Sequence, residues 1–329
     1  MTTTNGTSNG RQVDAGVIGV GTMGANHARV YSELQDVSLV GVTDADTEQA
    51  HAVATDYGAR PMGRSELLSA ADVVSVAVPT ALHYDVAREA IESGVDVLVE
   101  KPFVDAYERG VDLAERAAAA GVTLQVGHIE RFNPAVRVVT ELAPELDIIS
   151  VDVRRLGPPV ERGGSDSVVF DLMVHDLDLV LSIVGTDVTE IAANGRDERH
   201  VSAQLTFENG AIGDLTASRL TQQKVRQLGI TAMDCRVNVD FIDQSVEIHR
   251  QSMPEYVEQD GDVRYRQESI TERPMVENGE PLKAELSSFV AAARDGTDPV
   301  VTAEDGLRVL ELAQRVEQVA LGDRQEVSL

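Results

Sequence analysis

The chain has 329 residues, 43% of them hydrophobic, and a formal net charge of −27 at pH 7. Such a charge repels nucleic-acid phosphates and anionic lipid, so neither is an expected partner. The apolar content excludes a disordered, charge-rich chain, and the length suits two domains better than one core.

Residues 1–12, MTTTNGTSNGRQ, read as a flexible polar tail, without the basic and apolar regions of a signal peptide. No apolar run approaches the roughly 20 residues of a membrane helix, so no spanning segment is expected. One cysteine, Cys235, leaves no internal disulfide and no cysteine-based zinc site, and points to a reducing cytoplasm. The acids are scattered along the chain, and lysine occurs three times (Lys101, Lys224, Lys283) against 25 arginines. That pattern suits a salty cytoplasm in which counterions screen self-repulsion; a merely acidic protein is the alternative.

Between residues 13 and 128, short apolar runs alternate with helical patterns. The runs DAGVIGVG (14–21), VSLVGVTD (37–44), DVVSVAV (72–78), VDVLVEK (95–101) and VTLQVGH (122–128) read as strands buried on both faces. The segments between them carry helical spacing, and several end in Gly. Strands alternating with helices predict a parallel, doubly wound α/β sheet. From 129 to 329 the texture changes to consecutive strand-like runs, an amphipathic helix near 167–184 and two closing helices near 282–294 and 303–320. Alternation in SAQLTF and RVNVDF predicts an α+β domain on an open, mainly antiparallel sheet. FENGA and DGD read as hairpin turns.

GVGTMG places Gly19, Gly21 and Gly24 after the first strand and at the start of a helix, with Thr22 and Met23 between them. Glycines at this spacing permit a tight turn, close approach of a pyrophosphate, and close helix–strand packing. Asp44 follows Gly24 by twenty residues, where an acid binds ribose hydroxyls, and Ala45 and Asp46 offer no cation for a 2′-phosphate. NAD is therefore favoured over NADP. Pro79, Thr80 and His83 stand at another strand end on the cofactor side, although for His83 alone capping or packing is the commoner role. Glu100 and Lys101 end the run VLVEK on the same edge. An ammonium there can bind the reacting oxygen and stabilise negative charge as hydride leaves the adjoining carbon, and burial can tune a lysine as it cannot an arginine.

VVFDLMVHDLDLVL carries Asp171, His175 and Asp178 on one helical face, with Asp176 off the stripe and expected in solvent. His175 can accept an alcohol proton, and an acid one turn away can orient the ring. A helix whose His and Asp satisfy each other is the plain alternative, and no second His or Cys supports a metal. Arg131, Asn133, Arg154, Arg155 and Arg162 lie in loop-like segments where guanidinium groups suit a diphosphate; surface arginines balancing local acids are the bland reading.

The order GxGxxG, PT..H, EKP, DxxxHxxD resembles the glucose–fructose oxidoreductase / inositol dehydrogenase (Gfo/Idh/MocA) family of NAD(P)-dependent oxidoreductases. The resemblance implies a Rossmann domain and a C-terminal domain whose open sheet often forms a homo-oligomer interface (dimer or tetramer). It also implies that the final helices pack back on the cofactor domain. The family's lysine, aspartate and histidine match Lys101, Asp171 and His175. GHIERFNPAV, RRLGPPV, DLMVHDLDLV and SRLTQQKVRQLGIT look most like the branch that oxidises the 3-hydroxyl of UDP-N-acetylglucosamine. Two positions depart from the family pattern: Gly127-His128, where many relatives have Gly-Phe or Gly-Tyr, and Thr80, where relatives often carry Asn. An inositol or free-sugar dehydrogenase, and a cofactor-binding regulator without turnover, are the other readings.

Overall fold

The computed structural model describes residues 12–159, 167–251, 255–259 and 262–322. Except for Gln12, the expected N-terminal tail lies outside these residues, as does part of the DGD turn.

The chain begins with β1 (Val13–Ile18), α1 (Thr22–Glu33), β2 (Val37–Thr43), α2 (Thr47–Tyr57), β3 (Arg60–Pro61) and α3 (Arg64–Ala70). It continues with β4 (Val73–Val76), α4 (His83–Glu92), β5 (Asp96–Glu100), α5 (Tyr107–Ala120) and β6 (Leu124–Gly127). The six strands are parallel in the order β3-β2-β1-β4-β5-β6. The order reverses between β1 and β4, and ligands of such sheets bind outside the carboxyl ends of the strands at that switch. Helix boundaries follow local chemistry. Asp46 caps α2 by accepting the Glu48 and Gln49 N–H groups, and left-handed Gly58 (φ 69°) ends the helix. Strands β4 and β6 are buried at every position, which is why VVSV and LQVG are nearly free of charge. β3 and α3 were not expected, because a two-residue strand and a seven-residue helix carry too little periodicity to read.

A 3₁₀ turn (Ile129–Phe132) leads into α6 (Pro134–Leu142) and β7 (Ile148–Leu156). A π-helical turn (Val169–Met173) then runs directly into α7 (Val174–Val184). The strands that follow are β8 (Val188–Arg196), β9 (His200–Phe207), β10 (Ile212–Ser218), β11 (Val225–Ala232), β12 (Cys235–Asp240) and β13 (Ser245–Gln251). The hairpin β14 (Glu255–Gln259) and β15 (Asp262–Arg266) comes next, and then β16 (Ser269–Glu272). The chain closes with α8 (Pro281–Asp295) and α9 (Ala303–Leu321). The larger sheet has eight strands in the order β16-β13-β12-β11-β7-β10-β9-β8, and among its described pairs only β7 with β10 is parallel. One face buries Val151, Val153, Leu205 and Ile230 against Val136 of α6, Leu177 of α7 and Leu312 of α9. The other face carries Asp152, Arg154, Gln227 and Asn238 around an open pocket.

Two compact units result. One holds the described residues up to His128 together with Leu282–Leu307; the other holds Ile129–Pro281 and the described residues from Arg308 onward. No described helix is long and apolar enough to cross a membrane.

Candidate active site

In the first unit the chain leaves β1 through Gly19 at φ 87°, its N–H donating to the Thr43 carbonyl at 2.8 Å. A Cβ at Gly19 would lie 2.7 Å from the Ala77 oxygen, and one at Gly24 would lie 1.8 Å from the Gly19 oxygen. Both glycines are therefore demanded by the fold. Gly21 is different: it is exposed, and an added Cβ would meet nothing within 4 Å. It caps α1 without a side-chain hydrogen bond, so the first helical N–H groups at Thr22 and Met23 carry no side-chain cap. Open space before an uncapped helix end fits a pyrophosphate. Asp44 is fixed to this turn, one carboxylate oxygen accepting the Val20 N–H at 2.7 Å and the other the Asp46 N–H at 2.9 Å. Each oxygen keeps a lone pair for a ribose hydroxyl.

β5 delivers Glu100 and Lys101 to the same sheet edge, and the Lys101–Pro102 peptide is cis. Lys101 is half-buried. Glu100 is buried and accepts hydrogen bonds from His27 Nε2 on α1 at 2.9 Å and from the Lys101 N–H at 3.2 Å. Burial pushes its carboxyl up, but the His27 hydrogen bond and the His27 and Lys101 charges outweigh that and hold it below the usual glutamate range. Gly127 explains itself here, because a Cβ on it would lie 3.1 Å from Glu100 Cα. His128 fills a buried position.

Two of the residues assigned to the cofactor from sequence have other duties. The Glu100 carboxylate is committed to His27. His83 is buried, with Nε2 2.8 Å from the Val78 oxygen and Nδ1 2.9 Å from the Pro102 oxygen. Its ring ties the end of β4 to the segment after β5, so it shapes the edge rather than offering a nitrogen to a ligand. Pro79 is exposed and Thr80 half-buried at that edge.

In the second unit, Asp171 lies in the π-helical turn and His175 in the first turn of α7, both partly exposed. π-turns concentrate at functional sites because the extra residue re-aims side chains. Asp171 accepts from Arg219 Nε at 3.1 Å and is also paired with Arg219 Nη2. Asp176, expected in solvent, is instead fully buried and accepts from Arg155 Nε at 2.8 Å.

Residues 13–128 match the oxidoreductase family with an NAD-binding Rossmann fold, and residues 150–248 match the GFO/IDH/MocA C-terminal domain. Over 243 residues the chain is 34% identical to the UDP-N-acetylglucosamine 3-dehydrogenase of Acidithiobacillus ferrooxidans, covering 71% of this chain and 76% of that protein. The chain belongs to the Gfo/Idh/MocA family. The solved structure of the A. ferrooxidans dehydrogenase superposes with a TM-score of 0.86 at 29% identity, covering 94% of this chain and 97% of that one. A second family member, the NAD(+)-dependent scyllo-inositol 2-dehydrogenase of Bacillus subtilis, is 27% identical over 239 residues, or 63% of this chain and 68% of that protein.

Within this Gfo/Idh/MocA chain the residues assigned to a diphosphate are mostly committed elsewhere. Arg131 donates Nε and Nη2 to fully buried Asp178, at 2.9 and 2.6 Å from Oδ1. Asn133 caps α6 and donates to the Phe241 carbonyl at 3.1 Å. Arg155 is buried between Asp176 and Glu130, the latter at 2.7 Å. Burial opposes its charge, but the facing carboxylates outweigh that and hold the guanidinium above the usual arginine range. Arg154 leaves the opposite face of β7, beside the open pocket, because successive strand residues alternate. Arg162 lies outside the described residues. Sequence reasoning missed His27, Glu130 and Arg219. His27 was accessible, since it lies with Gly24 and Tyr31 on the buried face of α1 at helical spacing.

Proposed function

We propose that the protein is an NAD-dependent dehydrogenase of secondary alcohols on sugars, and that its substrate is UDP-N-acetylglucosamine, oxidised at the 3-hydroxyl. The similarity to the A. ferrooxidans enzyme carries this reading, joined to a lysine at the carboxyl edge of β5 and a histidine on the π/α helix. Gly19, Gly21 and Gly24, the helix end at Thr22 and Met23, and Asp44 would hold the dinucleotide. Asp44 followed by Ala45 and Asp46 favours NAD, because a 2′-phosphate would face acids with no cation. When bound, NAD supplies the two-electron hydride acceptor.

The remaining chemistry belongs to the chain. Lys101 donates a hydrogen bond to the reacting oxygen and stabilises the negative charge that grows there. His175 accepts the hydroxyl proton, the task of a group that titrates near neutrality. Asp171, fixed by Arg219, accepts a hydrogen bond from the His175 ring or from a neighbouring sugar hydroxyl. Losing the proton acceptor costs about 10²- to 10⁴-fold in rate. His175→Ala should therefore bind NAD normally and turn over far more slowly, and near-native turnover would reject the assignment.

A neutral polyol substrate is the second reading, favoured by the B. subtilis scyllo-inositol relative. NADH formation with an inositol but not with UDP-N-acetylglucosamine would select it. A regulator that only binds the cofactor would need the glycine turn but not Lys101 and His175. We further place the protein in a cytoplasm as a homo-oligomer, a dimer or tetramer associating through the open face of the eight-stranded sheet, which light scattering would test.

A further inference from the structure

We propose that Arg226 holds the diphosphate of a nucleoside-diphosphate sugar, an inference that rests on the nucleotide-sugar reading above and names the side chain behind it. Arg226 stands on β11 directly opposite Arg155 on β7, so both side chains leave the same face of the sheet. On that face Arg155 meets Asp176 of α7, in the helix that also bears Asp171 and His175.

The arginines around this helix divide into two kinds. Arg131, Arg155 and Arg219 are each paired with a carboxylate, respectively Asp178, Asp176 with Glu130, and Asp171. Arg226 is not. Its Nη1 donates to the Leu156 carbonyl at 2.6 Å and to the Val225 carbonyl at 2.8 Å. These bonds fix the guanidinium without neutralising it. Its Nε and Nη2 bond to no described residue and have no described carboxylate at ion-pair distance.

A half-buried guanidinium anchored only to carbonyls, with no carboxylate hydrogen-bonded to it, gains most from an anion that bonds its remaining N–H groups. Burial, and after it the Arg155 charge, lower the Arg226 guanidinium from the usual arginine range, while Asp176, Glu130 and Asp171 pull the other way. The free edge formed by Nε and Nη2 is the fork that grips two phosphate oxygens at once. Buried or opposed in these ways, Arg131, Arg154 and Arg155 lack such an edge on this face.

The test uses the full chain in molar salt. Wild type, Arg226→Gln and Arg226→Lys are titrated with UDP, inorganic pyrophosphate and uridine by calorimetry, and assayed with UDP-N-acetylglucosamine and NAD. Arg226→Gln should weaken UDP and pyrophosphate by on the order of 10- to 100-fold, the loss of one charge-assisted hydrogen-bonding group. Uridine should be unaffected, and Arg226→Lys should recover part of the loss. KM should rise with kcat largely kept, the pattern of binding lost equally in ground and transition states. UDP affinity unchanged in a folded Arg226→Gln would overturn the inference alone. Equal loss of uridine and UDP would also overturn it, by showing a structural role. Wild type that binds neither UDP nor pyrophosphate would overturn the nucleotide-sugar reading and this inference together.

Discussion

Replacing Arg155 by Ala discriminates between two uses of that side chain. If Arg155 gripped a substrate, its removal would raise KM and leave the fold intact. The structure instead encloses it between Asp176, which is fully buried, and Glu130, with hydrogen bonds of 2.8 and 2.7 Å. Removal leaves the Asp176 carboxylate in the core without its counter-charge, and breaking a buried pair from one side costs about 3–5 kcal/mol. For a unit of this size, about 2–4 °C of melting temperature accompanies each kcal/mol, so the midpoint should fall by roughly 6–20 °C. Arg155→Met with Asp176→Leu should recover part of that, because an apolar pair of similar volume removes the two buried charges together and leaves only the partly exposed Glu130 without its partner. Scanning calorimetry of the single and double variants reads the result. An Arg155→Ala midpoint within about 2 °C of wild type would refute the buried-triad reasoning.

The two kinds of glycine in the cofactor turn should separate in the same way. Gly21→Ala should melt as wild type does but bind NAD at least about tenfold more weakly, since its Cβ enters the space left for the pyrophosphate. Gly24→Ala should lose stability as well, because its Cβ would lie 1.8 Å from the Gly19 oxygen; equal NAD affinity for Gly21→Ala and wild type would count against the cradle. The Glu100 carboxyl is held below its unfolded value of 4.5, so it adds stability above that pH, lost as pH falls through the depressed folded value. The melting curves of wild type and Glu100→Gln should accordingly converge below about pH 4.5, whereas parallel curves would contradict the assigned direction. With a net charge of −27 the protein should also lose melting temperature on dialysis from molar to low salt, and an unchanged midpoint would remove the salt-adapted reading.

The parts of this protein written in local sequence were readable before any coordinates. Parallel strands covered on both faces must be apolar, so VVSV and VLVE announce themselves, and the glycine turn is set by clashes within a few residues. Long-range pairing was not readable. Nothing near Arg131 points to Asp178, 47 residues away, and Asp176 gave no sign that Arg155 would bury it. Some misses were avoidable. Arg154 and Arg155 are adjacent on a strand, so alternation alone forbids both from facing one ligand. Asn133 followed by Pro134 is a helix-start signal, and α6 begins there. The π-turn through Asp171 was hidden because its extra residue shifts the phase on which helical spacing depends.

The central claim is that Lys101 and His175 act on one sugar alcohol with NAD as oxidant. It is tested most directly by following NADH absorbance when NAD and UDP-N-acetylglucosamine are mixed with wild type, Lys101→Ala and His175→Ala in molar salt. Wild type should form NADH, and each variant should lose about 10²-fold or more in rate with NAD binding retained. No signal from wild type with this sugar, or near-native rates in either variant, would contradict it.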